Sequence, residues 1–273
     1  MRMFDAEATK LRSWSPVSEE SSGRKLSAPS HRLCGVTDIG RRRSNNEDGY
    51  FLSPDNKLWI VADGMGGHAA GEVASSLSID AIADSIRAAP PGSAGVAGVD
   101  AGDLLMSAFA EAQERVSGQS LRHETYRGMG ATAVAAYVSG NALHVCHVGD
   151  ARGYHLSEGR LRRLTNDHSL IWELVRSGLL TPDQARSHPQ RSQITQAIGM
   201  EAGVTPEVTS LVLKAADRVL LCSDGLWEAL EDQEIGQIVG SVGSMMELAT
   251  MLIDKANNAS GQDNITAVLY EHA

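Results

Sequence analysis

At 273 residues the chain has room for one large domain or two small ones, and its 42% apolar content builds a core in which scarce aromatics (4%) leave most packing to aliphatic side chains. Its 34 acidic residues against 24 basic ones leave a net charge of −10, which argues against nucleic acid and anionic membranes as partners. No stretch approaches the ~20 apolar residues of a membrane span, and no compact apolar segment follows the first arginine, so neither membrane insertion nor a signal peptide is expected.

Taken in chain order, the first 30 residues stand apart. "SWSPVSEESSGRKLSAPSH" is rich in serine, proline and charge with little periodicity, so residues 1–30 read as a disordered Ser-rich tail and 31–273 as the folded domain. "LCGVTDIG", "DGYFLS" and "KLWIVAD" then read as three strands. "GEVASSLSIDAIADSIRAA" places Val73, Leu77, Ile79, Ala83 and Ile86 at near-helical spacing. "PPGSAGVAGVDAG" breaks that helix, and "DLLMSAFAEAQERVSGQSL" forms a second, completing an αα-hairpin. Strands return at "ATAVAAYV", "ALHVCHVGD", "ARGYHLS" and "RLRRLT". "SLIWELVRSGLL" and "TPDQARSH" read as short helices, the latter with Thr181 as cap and Pro182 at its first position. "EVTSLVLK", "RVLLCSD" and "NITAVLYE" are strands, and helices at "EDQEIGQIVG" and "SMMELATMLIDKANNA" separate the last two. Helices gathered in two blocks predict segregated layers rather than βαβ alternation. Cys34, Cys146 and Cys222 lie in or beside apolar runs and read as buried reduced thiols, which suits the cytoplasm.

Four stretches share one grammar: "IVADG", "HVGDA", "LLCSDG" and "GQDN". Asp63, Asp150 and Asp224 stand where an apolar strand stops, Asp263 where one starts, and Glu47 and Asp48 precede another strand. Singly, each is ordinary turn chemistry. Brought to one sheet edge, they repel and call for a cation, and all-oxygen ligands suit Mg²⁺ or Mn²⁺. Gly64, without a side chain, lets its carbonyl approach such an ion. There is no HExxH and no CxxC, and His144 and His147 read as structural.

These stretches, with "TDIGRRRSNNEDG", "GMGATAVAA", "LTNDHSL" and "HPQRSQITQAIG", resemble the metal-dependent Ser/Thr protein phosphatases, the PPM or type 2C family, in its compact bacterial form. The matches run in the family's order over residues 33–271. The resemblance implies an α+β fold, a four-layer αββα sandwich of two antiparallel sheets flanked by helix pairs. It implies Asp63, Asp224 and Asp263 on one metal, and Asp63, the Gly64 carbonyl and Glu47 on the other. Asp48 and Asn264 are expected behind the ligands, Arg43 as the phosphate clamp, and Asp150 with Asp224 as a weaker third site. A flap is expected over residues 176–191. One departure is Ala151 in "GDAR", where many relatives carry serine.

The chemistry follows from the residue types. Two divalent ions, Mn²⁺ or Mg²⁺, neutralise a phosphomonoester dianion and lower the pKa of a bridging water, which attacks phosphorus in line. Arg43 offers a planar fork to two phosphoryl oxygens. His68 is either the proton donor to the leaving alkoxide or a supporting residue. The expected function is hydrolysis of phosphoserine and phosphothreonine in proteins, reversing a bacterial Ser/Thr kinase, by a monomer. The alternative is a regulatory module on the same fold that binds phosphorylated partners without hydrolysis. A nucleotide site at "DGMGG" lacks a Walker lysine and GxGxxG.

Overall fold

Strand β5 (Leu58–Met65) is buried on both faces, and this sets the layering. Trp59 and Val61 point into a core between two sheets, together with Leu33, Val134, Leu143, Val145, Leu221 and Val268. Leu58, Ile60 and Ala62 point the other way, onto a helix layer. Period-two alternation explains this division, and burial of both faces explains why the run reads as continuously apolar.

The structure, a computed structural model, describes residues 18–19, 24–66, 69–89, 100–181, 184–185 and 188–273. One sheet joins β5 to β4 (Asp48–Leu52), β6 (Gly130–Ser139), β7 (Ala142–Val148) and β10 (Glu207–Val212), in the order β10-β7-β6-β5-β4. The other joins β1 (Ser18–Glu19), β2 (Arg24–Ser30), β3 (Leu33–Asp38), β8 (Arg152–Ser157), β9 (Arg160–Arg163), β11 (Arg218–Cys222) and β12 (Ile265–Glu271), in the order β1-β2-β3-β12-β11-β8-β9. Among the described residues every strand pairing is antiparallel. Helices α1 (Ala69–Ala88) and α2 (Ala101–Arg122) cover the five-stranded sheet through Ala74, Ile82, Leu105 and Phe109. Outside the seven-stranded sheet lie α5 (Asp232–Val239) and α6 (Met245–Ala259), through Ile235, Leu248, Leu252 and Ile253. Short helices α3 (Leu170–Arg176) and α4 (Asp224–Trp227) sit at the site end. The expected α+β, four-layer αββα sandwich is the architecture found.

Caps set several ends. Asp100 accepts from Gly102 N–H at the start of α2, and Ser244 with Glu247 forms a capping box on α6. Thr181 accepts from Gln184 N–H, while Pro182 lies outside the described residues. Ala151 is 1% exposed in the inter-sheet core, so the missing hydroxyl leaves no buried polar atom there. Cys34, Cys146 and Cys222 are buried and free, and burial pushes the Cys34 thiol up to about 12.

One boundary differs from the sequence reading. Residues 24–30, assigned to a disordered tail, form β2 on β3, with a register shift between Ser27 and Ser30, around Pro29. Their pattern is faint because only Leu26 is strongly apolar; the anchor is polar. Arg24 Nε lies 2.9 Å from Asp38 Oδ2, and its Nη2 lies 2.7 Å from Asp254 Oδ1. Burial pushes Asp38 up, but hydrogen bonds from Asn257, Gly40 N–H and Arg24 outweigh it and hold the carboxyl below its usual range. Residues 1–17 and 20–23 lie outside the described residues. The sequence of residues 1–17 carries no core pattern, so their removal is expected to leave the thermal midpoint and small-ester turnover unchanged. Removal through residue 30 strips Asp38 of its cation and is expected to cost ~3 kcal/mol, read as a lowered midpoint in a melting scan.

Candidate metal centre

Antiparallel order brings the strand ends together. The C-terminal ends of β5, β7 and β11 and the N-terminal ends of β4 and β12 meet at one edge of the sandwich, as the pairings of Asp48 with Asp63 and of Cys222 with Ala267 require. A cleft of about 570 Å³ opens there, lined by Arg43, Glu47, Asp63, Gly64, Asp150, Asp224, Asp263 and Asn264 among others. Eight of the residues singled out in the sequence thus share one cavity. Asp48 lies behind the cleft. His68, the candidate proton donor, lies outside the described residues.

Each side chain is placed by local chemistry. Gly149, with φ +94°, turns the chain after β7; a Cβ there would overlap Thr132, so only glycine lets Asp150 follow the strand into the cleft. A Cβ on Gly64 would overlap the Gly71 carbonyl and stand 2.8 Å from the Glu47 carbonyl oxygen. This close approach seats the first turn of α1 beside the end of β5. Asn264 holds the loop that carries Arg43 and Glu47: its Oδ1 accepts from Glu47 N–H at 2.9 Å, and its Nδ2 donates to the carbonyls of Ile39 (3.0 Å) and Asn45 (2.9 Å). Asp48 Oδ2 accepts from Ser223 Oγ and Thr266 Oγ1, each at 2.7 Å.

The electrostatics are those of too many carboxylates. Among the described residues, five acidic side chains line the cleft (Glu47, Asp63, Asp150, Asp224 and Asp263) against one lining cation, Arg43. Burial first, then repulsion from Asp48, Asp224, Asp150 and Asp263, pushes Asp63 well above the usual carboxylate range. Burial and the neighbouring Asp150 and Asp263 do the same to Asp224. Burial and Asp167 raise Asp150 to about 7, and burial raises Asp48 to about 6 despite its two hydroxyl donors. Arg43 Nη2 sits 2.6 Å from Asp263 Oδ2 and answers only part of this charge. Oδ1 of Asp48 and Oδ1 of Asp224 are buried without a fixed donor. Buried oxygens that lack donors, arranged to repel, fit hard divalent cations.

The cleft also holds residues the sequence reading passed over: Met65, Thr132, Ser192 and Ile194. Thr132 stands opposite Asp63 across β5 and β6, and its buried Oγ1 has no partner. Only the strand register reveals that neighbour. A second cleft of about 600 Å³ runs beside α3, with Arg152, Arg163, Arg191 and Trp227. Its main guanidinium is already engaged: Arg152 makes a two-point contact with Asp167 at 2.9 and 2.6 Å and stacks 3.5 Å over Trp227.

The αββα fold and the carboxylate cleft define a metal-dependent hydrolase class, and comparison with known proteins narrows it. The family model described as "Protein phosphatase 2C" matches residues 38–269. The serine/threonine phosphatase stp of Listeria welshimeri is 37% identical over 238 residues, covering 86% of this chain and 93% of that one. The crystal structure of the Mycobacterium tuberculosis serine/threonine phosphatase PstP/Ppp superposes with a TM-score of 0.79 at 38% identity, covering 88% of this chain and 99% of that one. The catalytic domain of PstP in complex with two manganese ions superposes at 0.77 with 35% identity, covering 91% and 98%. The chain belongs to the protein phosphatase 2C family of metal-dependent phosphatases.

Proposed function

We propose that this chain is a protein serine/threonine phosphatase whose carboxylate cleft holds two divalent ions, Mn²⁺ or Mg²⁺, and hydrolyses phosphoserine and phosphothreonine in proteins. The observation that carries this is the cluster of Asp63, Asp150, Asp224 and Asp263 at one strand edge, with Asp63, Asp150 and Asp224 held above the usual carboxylate range by burial and neighbouring carboxylates. Asp63, Asp224 and Asp263 would hold one ion, and Asp63, the Gly64 carbonyl and Glu47 the other. When bound, the ions supply charge neutralisation and a nucleophilic water at neutral pH.

The remaining roles belong to the chain itself. Asp48, held by Ser223 and Thr266, orients the ligands in front of it. Asn264 fixes the loop of Arg43 and Glu47. Arg43, half exposed at the mouth, offers its planar fork to a phosphoryl group in exchange for Asp263. His68 is assigned the proton that the departing alkoxide needs. Asp150, with Asp224, forms a third and weaker metal position, since few protein ligands and many waters mean loose binding.

Substrates of this kind are products of a Ser/Thr kinase, and a cognate kinase is the proposed counterpart. The proposed setting is the cytoplasm, a reading that the three free, buried thiols support. The chain is proposed to act as a monomer and to bind no nucleic acid, in keeping with its charge of −10. Phosphothreonine and phosphoserine peptides, incubated with the protein in Mn²⁺ and in EDTA, test the activity. Inorganic phosphate released only with Mn²⁺ is the expected result. Peptide binding without phosphate release in either condition would support a regulatory binding module instead.

A further inference from the structure

Next to the catalytic cleft but outside it lies a second group of metal-binding side chain types. His147 on β7 stands directly opposite Glu207 on β10, so the two side chains share one face of the sheet. His168, in the segment after β9, packs against His147 with ring centroids 4.7 Å apart. One nitrogen of each ring and one oxygen of Glu207 lie within 4.8 Å of one another. His147 and His168 are 2% and 6% exposed. His168 Nε2 is buried, has no hydrogen-bond partner, and lies 3.6 Å from Glu207 Oε1.

The surroundings of His147 and Glu207 suit metal binding. His147 Nε2 donates to the Asn166 carbonyl at 2.6 Å, so a neutral ring carries its lone pair on Nδ1. A ring N–H on a backbone carbonyl is the usual support for a metal-bound imidazole. Asn166 Nδ2 donates to Glu207 Oε2 at 3.3 Å and steadies the carboxylate. Burial keeps both imidazoles neutral, the form that binds metal.

We infer that His147, His168 and Glu207 form a binding site for a single transition-metal ion, Zn²⁺ by the chemistry of two imidazoles and a carboxylate, with water as the fourth ligand. The site differs in kind from the oxygen-lined cleft, which takes harder ions. Loading moves the His168 proton from Nε2 to Nδ1. The present contact of Gly149 N–H with His168 Nδ1, 3.3 Å, is then lost, while His168 N–H still donates to the Gly149 carbonyl at 2.9 Å. Gly149 immediately precedes Asp150, so zinc occupancy reaches the edge of the catalytic cleft through one residue.

Equilibrium dialysis against Zn²⁺ in saturating Mg²⁺, which occupies the oxygen sites, tests this on the full chain. The wild type is expected to retain one zinc per chain that Mg²⁺ does not displace. Glu207→Gln changes a half-exposed side chain and keeps the fold; it is expected to weaken that zinc at least ~10-fold, as is His168→Gln. A circular-dichroism melt without zinc confirms that each variant is folded, and Glu207→Gln alone decides the matter should the His168 variant fail to fold. Zinc uptake that Mg²⁺ abolishes, or uptake unchanged in Glu207→Gln, would overturn the assignment.

Discussion

Asp63→Asn and Asp224→Asn are each expected to lower kcat at least ~10²-fold, because each removes a carboxylate from the group that would hold the ions generating the nucleophile. The same substitutions have the opposite effect on the metal-free protein. A carboxyl with a raised folded pKa binds more protons in the native state than in the unfolded chain, so stability falls as pH rises. That loss begins near the unfolded value of ~3.9 and continues through about 6 and about 7, the values for Asp48 and Asp150. Asparagine removes one charge from the repelling set. In EDTA at pH 8 the variants are therefore expected to melt above the wild type. In Mn²⁺ the order reverses, since only the wild type gains the full stabilisation of binding, ~2.7 kcal/mol at a hundredfold excess over Kd. Melting scans at several pH values, with and without metal, read both effects. A metal-free wild type that melts no lower than Asp63→Asn and Asp224→Asn at pH 8 would contradict the picture of repelling carboxylates.

Gly64→Ala is the second large effect. The added methyl would overlap the Gly71 carbonyl oxygen and press on the Glu47 carbonyl, and neither is the movable end of a side chain. Backbone must shift, at a cost of ~3 kcal/mol for overpacking. The shift falls on the residues that would hold metal: Gly64 N–H donates to the Glu47 carbonyl at 3.2 Å, and Ser75 Oγ donates to that same oxygen at 2.6 Å. Turnover is expected to fall at least ~10-fold even where the variant is folded, because small displacements of catalytic groups are costly. Denaturant unfolding and Mn²⁺-saturated kcat on one preparation separate the two losses. Gly71→Ala, whose Cβ would meet the Glu47 carboxylate instead, is expected to perturb metal affinity more than stability.

Much of the site was legible because strand ends are legible. Asp63, Asp150 and Asp224 each stop an apolar run, and Asp263 precedes one, so their positions along the chain followed from pattern alone. The segregation of helices from strands followed from the two helix blocks, and the four-layer order from the family resemblance. What spacing conceals is partnership across distant segments. Arg43 and Asp263 are 220 residues apart, and nothing local to either announces their contact. Thr132 became visible only through the register that sets it opposite Asp63. The strand at residues 24–30 was missed because polar contacts of Arg24 with Asp38 and Asp254 anchor it, where a pattern search weighs apolar periodicity. His147 read as structural for a related reason. Its proposed metal partners come from the segment after β9 and from β10, so no ligand spacing exists in the sequence to find.

The central claim is that the carboxylate cleft works by holding two divalent ions. Titrating metal-free protein with Mn²⁺, while following phosphate release from a phosphothreonine peptide and bound Mn²⁺ by electron paramagnetic resonance on the same samples, tests it most directly. Turnover is expected to be at background in EDTA and to rise as the second Mn²⁺ per chain binds, with Asp63→Asn remaining at background throughout. Full turnover in excess EDTA, with no Mn²⁺ bound, would contradict the account.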